Sequence, residues 1–250
     1  MRPIVSDHEL DSGWELARAG SPEWAGMSLS GFRDRSAAGL DMRIVAMPAV
    51  TVVVQVGESL FHTDASPRPG HRTHTGEPAR VEVRLAPTLA YALLGVTPGD
   101  LAGTVAGIED IWGPPAARLR ERLAETPAWP GRFAVTTRFL ADHSTVRRPD
   151  PEVAVCWQRI VEDHGLLRIR DLTDLTGWSQ KRLWTRFTAQ IGVTPKRAAM
   201  VVRFRRAFDQ LAGGASIAAT AVDCGYTDQS HLHRDMVRFA RTTPGALSPP

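Results

Sequence analysis

Cysteine is scarce in this chain of 250 residues: only Cys156 and Cys224 occur, and they lie far apart in sequence. Two such cysteines exclude a disulfide framework. Long apolar runs are missing as well, since none approaches the roughly 20 residues that a membrane-spanning helix needs. The first residues carry no apolar stretch after their charge, so they do not resemble a secretion signal. These absences lead us to expect a cytoplasmic protein.

The sequence also lacks the motifs of common enzymes and metalloproteins. It contains no glycine-rich phosphate loop, no Ser/His/Asp set and no zinc-hydrolase motif. His62, His71 and His74 cluster in and before a polar loop predicted at 65–78, but a zinc or nickel site would need three or four converging ligands. We expect solvated histidines there. We also expect both cysteines to be small core residues, because a redox switch needs an exposed thiol of low pKa. A non-enzymatic protein without metal or cofactor is therefore predicted.

Charge is unevenly distributed along the chain, although the formal net charge is only +3. Residues 1–150 carry 16 Arg and Lys against 18 Asp and Glu, whereas residues 151–250 carry 14 against 9. A basic C-terminal part suits a polyanionic partner such as nucleic acid.

The spacing of apolar residues predicts an α+β chain in which a β-rich part comes first and helices follow. Strands are predicted at 40–47, 50–56 and 80–85, and helices at 88–94, 101–106, 114–124 and 131–142. We expect a regulatory or dimerisation domain at 1–143, a proline- and arginine-containing linker at 144–151 and an all-α domain at 152–250.

Three charged residues alternate along the strand predicted at 80–85. Arg80, Glu82 and Arg84 would share one face of that strand, because side chains repeat every second residue. We expect a ladder that faces solvent. The alternative is a set that binds an anionic effector inside a barrel.

One motif occurs twice in the last hundred residues, which indicates an internal repeat. Each copy has a short helix, a glycine turn, an aromatic residue, a capping residue and a second helix. The short helices are predicted at 169–176 and 216–224, and a continuous helix at 195–212 joins the copies. The corresponding residues are Gly177, Trp178, Ser179, Leu183, Phe187 and Ile191 in the first copy and Gly225, Tyr226, Asp228, Leu232, Met236 and Ala240 in the second.

The residue types of this motif fit a helix-turn-helix unit. Gly177 and Gly225 follow a helix, where the left-handed backbone conformation favours glycine. Ser179 and Asp228 can accept hydrogen bonds from the free amides at the start of the next helix. The apolar residues at spacings of four form the buried side of that helix. Two helix-turn-helix units at matching spacing in the basic part of the chain predict DNA binding.

Residues 155–247 resemble the DNA-binding domain of the AraC/XylS family of transcription regulators. The similarity is most specific from Ser216 through Leu232, with Arg234 and Thr243-Pro244 following. In that family the second helix of each unit reads a major groove, the middle helix is a rigid connector, and a cupin-like N-terminal domain often binds a small effector or mediates dimerisation. The resemblance therefore implies a transcription regulator of this plan.

The resemblance also implies roles for individual side chains. Base-facing positions would be Lys181, Trp184 and Thr185 in the first unit and Gln229, Ser230, His233 and Arg234 in the second. Arg182 and Arg186 are the expected phosphate contacts, and Gln180 and Arg238 complete the candidate DNA-binding set. The chain departs from the family at Thr185, where Arg is frequent, at Arg186, which replaces an apolar residue, and at Arg241, where Gly is frequent.

Three hypotheses of function follow. The first is a regulator of double-stranded DNA whose N-terminal domain responds to a small effector or to dimerisation. The second is a regulator controlled by a protein partner, without a ligand pocket; RNA polymerase and a second copy of the chain are candidate partners. The third is a bifunctional repair-type enzyme with an AraC-like tail, which would need a nucleophilic cysteine that residues 1–150 do not contain.

Overall fold

The N-terminal half of the chain is built on antiparallel strands. The computed structural model describes residues 14–20, 24–34, 40–55, 59–63, 70–74, 79–101, 105–145 and 147–247. The strands are β1 (Trp14–Gly20), β2 (Met27–Asp34), β3 (Leu40–Ile44), β4 (Val50–Gln55), β5 (Ser59–Thr63), β6 (Gly70–His74), β7 (Arg80–Leu85) and β8 (Val105–Gly107). Six of them form one sheet in the order β1-β2-β7-β4-β5-β8, and β3 pairs with β6 in a separate two-stranded sheet.

Helices cover one face of the six-stranded sheet. They are α1 (Pro87–Leu93), α2 (Ile108–Trp112), α3 (Pro114–Glu125) and α4 (Trp129–Asp142). The alternating residues Val81, Val83 and Leu85 of the central strand β7 are buried in one core with apolar side chains of these helices. Gly31 of β2 allows α4 to approach closely, because a Cβ at this position would lie 2.2 Å from the Trp129 ring. The predicted order of strands followed by helices is confirmed.

Three details of the N-terminal half differ from expectation. Leu101 lies in a turn and Val105–Gly107 is a strand, so the helix predicted at 101–106 is wrong; residues 102–104 lie outside the described part. The loop predicted at 65–78 contains the strand β6, which forms the two-stranded sheet with β3 and which local composition did not indicate. The side chains of His62, His71 and His74 lie outside the described residues.

The third difference concerns the charged residues of β7. Arg80 and Glu82 are buried, with exposed fractions of 4% and 8%, and Glu82 forms an ion pair with Arg84. The expected solvent-facing ladder is therefore wrong. Strand β7 lies between β2 and β4 in the middle of the sheet, and alternation within a single strand does not indicate whether the second face of the sheet is covered.

The C-terminal part is all-helical. Its helices are α5 (Pro151–Glu162), α6 (Ile169–Thr176), α7 (Gln180–Ile191), α8 (Pro195–Ala212), α9 (Ile217–Asp223) and α10 (Gln229–Ala240), followed by a single 3-10 turn at Pro244–Ala246. One apolar core joins α5, α6 and α7 to the first half of α8, and another joins the second half of α8 to α9 and α10. Helix α8 therefore contributes to both cores, as expected for a connector. Among the described residues, no helix is both long and apolar enough to cross a membrane.

Candidate nucleic-acid interface

The turns of both helix-turn-helix units contain a glycine in the left-handed conformation. Gly177 has a φ of 67° and Gly225 a φ of 66°. At Gly225 space is also restricted, because a Cβ would lie 2.5 Å from a methyl carbon of Leu166. The two predicted turns are therefore confirmed, and the second one is restricted by packing as well as by backbone conformation.

The predicted caps also begin the two exposed helices. The Ser179 hydroxyl accepts a hydrogen bond from the backbone N–H of Arg182 at 3.3 Å. The Asp228 carboxylate accepts one from the backbone N–H of His231 at 2.7 Å. A carboxylate at a helix N-terminus also interacts favourably with the helix dipole, so the second cap is the stronger of the two.

The apolar stripes of α7 and α10 face inward as predicted. All six stripe residues are at most 1% exposed; they are Leu183, Phe187, Ile191, Leu232, Met236 and Ala240. The two aromatic turn residues differ. Tyr226 is buried in the core formed by α8, α9 and α10. Trp178 is half-buried, and the guanidinium of Arg182 lies over its ring, 4.3 Å from the ring centroid.

Burial of these stripes turns the polar sides of α7 and α10 to solvent. Ten of the eleven candidate DNA-binding side chains are exposed: Gln180, Lys181, Arg182, Thr185, Arg186, Gln229, Ser230, His233, Arg234 and Arg238. Trp184 is half-buried and packs against the core formed by α5, α6, α7 and the first half of α8. Exposure is necessary for contact with DNA but does not demonstrate it, so the individual assignments stay predictions.

Arg186 has a protein partner that the sequence did not indicate. Its Nε and one Nη donate to the two carboxylate oxygens of Asp150 at 2.7 and 2.8 Å. Asp150 precedes α5, and its backbone N–H donates to the side-chain oxygen of Gln190 at 2.8 Å. Hydrogen bonding from Arg186 holds the pKa of Asp150 below its usual value. A DNA phosphate would have to share or replace this carboxylate in order to bind Arg186.

The equivalent position of the second exposed helix also forms an ion pair, with the charges reversed. Asp235 is the seventh residue of α10, as Arg186 is of α7, and it accepts a hydrogen bond from Arg203 of α8 at 3.3 Å. The Arg203 guanidinium also lies over the Tyr226 ring at 4.6 Å and near Nε2 of His231 at 3.4 Å. Each exposed helix is thus attached to the helix that supports it. Aligning the two repeats would have paired Arg186 with Asp235 and indicated this reversal.

The environment of the two cysteines opposes a redox role. Burial raises the pKa of Cys156 to about 11, and burial also raises the pKa of Cys224. Both thiols are fully buried, as expected for small core residues. Within the described part of the chain, no group of three or more His, Cys, Asp and Glu side chains could hold a metal ion.

Comparison with known proteins points to the same part of the chain. Residues 172–248 match a family model described as a helix-turn-helix domain. A 90-residue stretch is 33% identical to an uncharacterized HTH-type transcriptional regulator, YbfI, of Bacillus subtilis (strain 168). That stretch covers 36% of this chain and only 33% of the relative, so the likeness does not extend to the whole relative.

Solved structures extend the likeness in fold to most of the chain. A variant of apo ToxT from Vibrio cholerae is similar with a TM-score of 0.51 at 8% identity, over 89% of this chain and 97% of ToxT. ToxT from Vibrio cholerae O395 bound to (E)-4-(8-methylnaphthalen-1-yl)but-3-enoic acid gives a TM-score of 0.50 at 9% identity, over 93% and 96% of the two chains. At such identities the likeness concerns the fold alone. The paired turns, caps and helices, together with the match over 172–248, establish that the C-terminal part of this chain is a helix-turn-helix domain, which is what its resemblance to the AraC/XylS family implies.

Proposed function

We propose that the protein is a sequence-specific DNA-binding transcription regulator that inserts α7 and α10 into successive major grooves. The observation that carries this proposal is the presence, in one chain, of two capped helices whose apolar sides are buried and whose polar sides are exposed. Such helices fit the major groove of B-DNA, which is wide enough to admit an α-helix.

The connector helix supports simultaneous binding by both units. Helix α8 has 18 residues, so it is about 27 Å long at 1.5 Å per residue. Successive major-groove faces on one side of B-DNA are about 34 Å apart. Because α8 contributes to both apolar cores, it can hold α7 and α10 at a separation of this order.

The exposed side chains of α7 and α10 have the chemistry that such a function needs. Glutamine, serine, lysine and arginine can donate to base edges or to phosphates. Arg234 lies on the exposed side of α10, and its Nε lies 3.4 Å from the carbonyl of Ser230. No ion pair with a carboxylate is formed by Arg234 among the described residues. We therefore assign Arg234 to bases or adjacent phosphates, and we assign Arg182 to phosphate.

Arg234→Ala tests the proposal on the full-length chain. DNA bound by the protein would first be selected from a random duplex library, and the dissociation constant for the selected duplex would then be measured by fluorescence anisotropy at fixed salt. The substitution should weaken binding by about 1–3 kcal/mol. The matched control is Arg118→Ala, because Arg118 is an exposed arginine of α3 and lies outside the helix-turn-helix domain.

Two outcomes of this experiment would contradict the proposal. One is the failure of selection to enrich any duplex sequence. The other is an unchanged affinity in Arg234→Ala. Affinity should also fall steeply with salt, because lysine and arginine side chains displace counterions from phosphates. A flat salt response would argue against contacts between these cations and DNA.

We further propose that the N-terminal half controls DNA binding through a small effector. ToxT, which shares the fold, has been solved with a carboxylic acid. Thermal-shift measurements with hydrophobic carboxylic acids would test this. If none raises the melting temperature, control by dimerisation or by a protein partner is favoured.

A further inference from the structure

Two segments of the N-terminal half contact the C-terminal ends of the two exposed helices. The backbone N–H of Ala46 donates to the carbonyl of Phe239 in the last turn of α10 at 2.8 Å. The backbone N–H of Gly99 donates to the carbonyl of Ala189 in the last turn of α7 at 3.1 Å. The last four carbonyls of a helix have no partner within it. Each exposed helix therefore receives a backbone hydrogen bond from outside its own domain.

Both contacts are tightly packed. Val45 and Ala46 are buried in the core formed by α8, α9 and α10. At the other contact, a Cβ at Gly99 would lie 2.7 Å from the Ala189 carbonyl oxygen, and a Cβ at Gly192 would lie 2.8 Å from the carbonyl oxygen of Pro98. Such close backbone approach requires glycine on both sides, so this contact is built into the sequence.

The two contacts are joined through the six-stranded sheet. Residues 45–49 lead directly into β4, and β4 pairs with β7 from Val50 opposite Leu85. Strand β7 leads into α1, which packs against α7 and is followed by the turn that contains Gly99. The path from α10 to α7 through Ala46, β4, β7, α1 and Gly99 is a second connection between the two helices, in addition to α8. We call it the N-terminal brace.

We infer that the N-terminal brace sets the relative placement of the two recognition helices, with Ala46 and Gly99 as positioning residues. A single connector helix can bend and its ends can pivot, whereas a second connection restricts both motions. The consequence for DNA rests on the proposed function. Once one helix of a braced pair is bound, the other is held close to the second groove and binds at a high effective concentration. Binding of one helix to a single groove does not depend on the brace.

Gly99→Ala breaks one end of the brace. The added methyl group must push the turn away from the Ala189 carbonyl, but the backbone conformation of residue 99 suits any amino acid. Gly20→Ala is the matched control, since a Cβ at Gly20 would meet no atom within 4 Å. Nitroxide labels at Thr185→Cys and Val237→Cys, both exposed, would report the separation of α7 and α10 without DNA. The native cysteines are buried and would not be labelled.

We expect a broader or shifted distance distribution in Gly99→Ala and no change in Gly20→Ala. Affinity for the full selected duplex should fall by about tenfold or more, while affinity for a duplex truncated to one half-site should stay the same. An unchanged distance distribution in folded Gly99→Ala would overturn the inference. Because the distance is measured without DNA, this result is distinguishable from a failure of the DNA-binding proposal itself.

A measurement on the unaltered protein covers the case in which Gly99→Ala does not fold. Hydrogen exchange should show protected amides at Ala46 and Gly99, because both N–H groups are engaged by helix carbonyls. Exchange at these two sites as fast as at an unbonded loop amide would overturn the inference without any variant.

Discussion

The ion pair between Arg203 and Asp235 offers a quantitative test of how helix α10 is held. The side chains are only 17% and 6% exposed, so Asp235→Ala would leave the Arg203 guanidinium in a poorly hydrated site. Loss of one partner of a buried pair costs about 3–5 kcal/mol. Here the hydrogen bond is single, and Arg203 keeps its contact with the Tyr226 ring. We therefore expect a loss of about 2–3 kcal/mol.

Urea unfolding of the full chain, followed by circular dichroism, would measure this loss. With a urea dependence of about 2 kcal/mol per M, the midpoint should fall by roughly 1 M or more. Asp142→Ala is the control, because its pair with Arg138 is exposed and such pairs contribute less than about 1 kcal/mol.

The double variant Arg203→Met with Asp235→Leu distinguishes the effect of the unpaired charge on stability from the effect of lost side-chain volume. Replacing both charges by apolar side chains should recover most of the stability, since neither charge is then left without a partner. If Asp235→Ala costs no more than Asp142→Ala, or if the double variant is no more stable than Asp235→Ala, the carboxylate does not hold α10 as we describe.

The structure makes four further predictions. Asp228→Ala should cost about 1 kcal/mol of stability through loss of the N-cap, and an equal unfolding midpoint would contradict that cap. Arg241→Gly should stabilise the protein by about 1 kcal/mol, because Arg241 has a φ of 52° in the left-handed region; a lower melting temperature would show that its side chain matters more than its backbone. Native Cys156, with a pKa of about 11, should react with a thiol reagent at pH 8 only after unfolding, and rapid reaction of the folded protein would exclude this burial. The pKa of Asp150 is lower folded than unfolded, so its contribution to stability is present above about pH 4 and is lost as pH falls below that; Asp150→Asn should flatten this part of the pH profile, and an unaltered profile would argue against the pair with Arg186.

Much of the DNA-binding domain follows from local sequence. Gly177 and Gly225 mark turns, Ser179 and Asp228 mark helix starts, and an apolar residue every fourth position marks the buried side of each helix. These signals depend only on residues within one or two helical turns of each other. One sequence, without any alignment, is therefore enough to identify them. They sufficed to predict the bounds of α6 and α8 and the exposed sides of α7 and α10.

Features that depend on distant parts of the chain could not be predicted in this way. Burial of Arg80 and Glu82 depends on what covers the second face of the sheet, and strand β6 depends on β3 as its partner. The pairing of Arg186 with Asp150 joins residues 36 positions apart, whereas the family resemblance implied a phosphate contact for Arg186.

The sequence by itself therefore determined the helices of the two helix-turn-helix units and the buried sides of α7 and α10, because capping, turn conformation and periodicity are local. Only the tertiary structure decided how α7 and α10 are held. Their ion-pair partners are Asp150, which precedes α5, and Arg203 of α8, and the hydrogen bonds at Phe239 and Ala189 come from the N-terminal half. Backbone amides such as those of Ala46 and Gly99 are chemically the same at almost every residue, so only the folded chain reveals which of them meet a helix end.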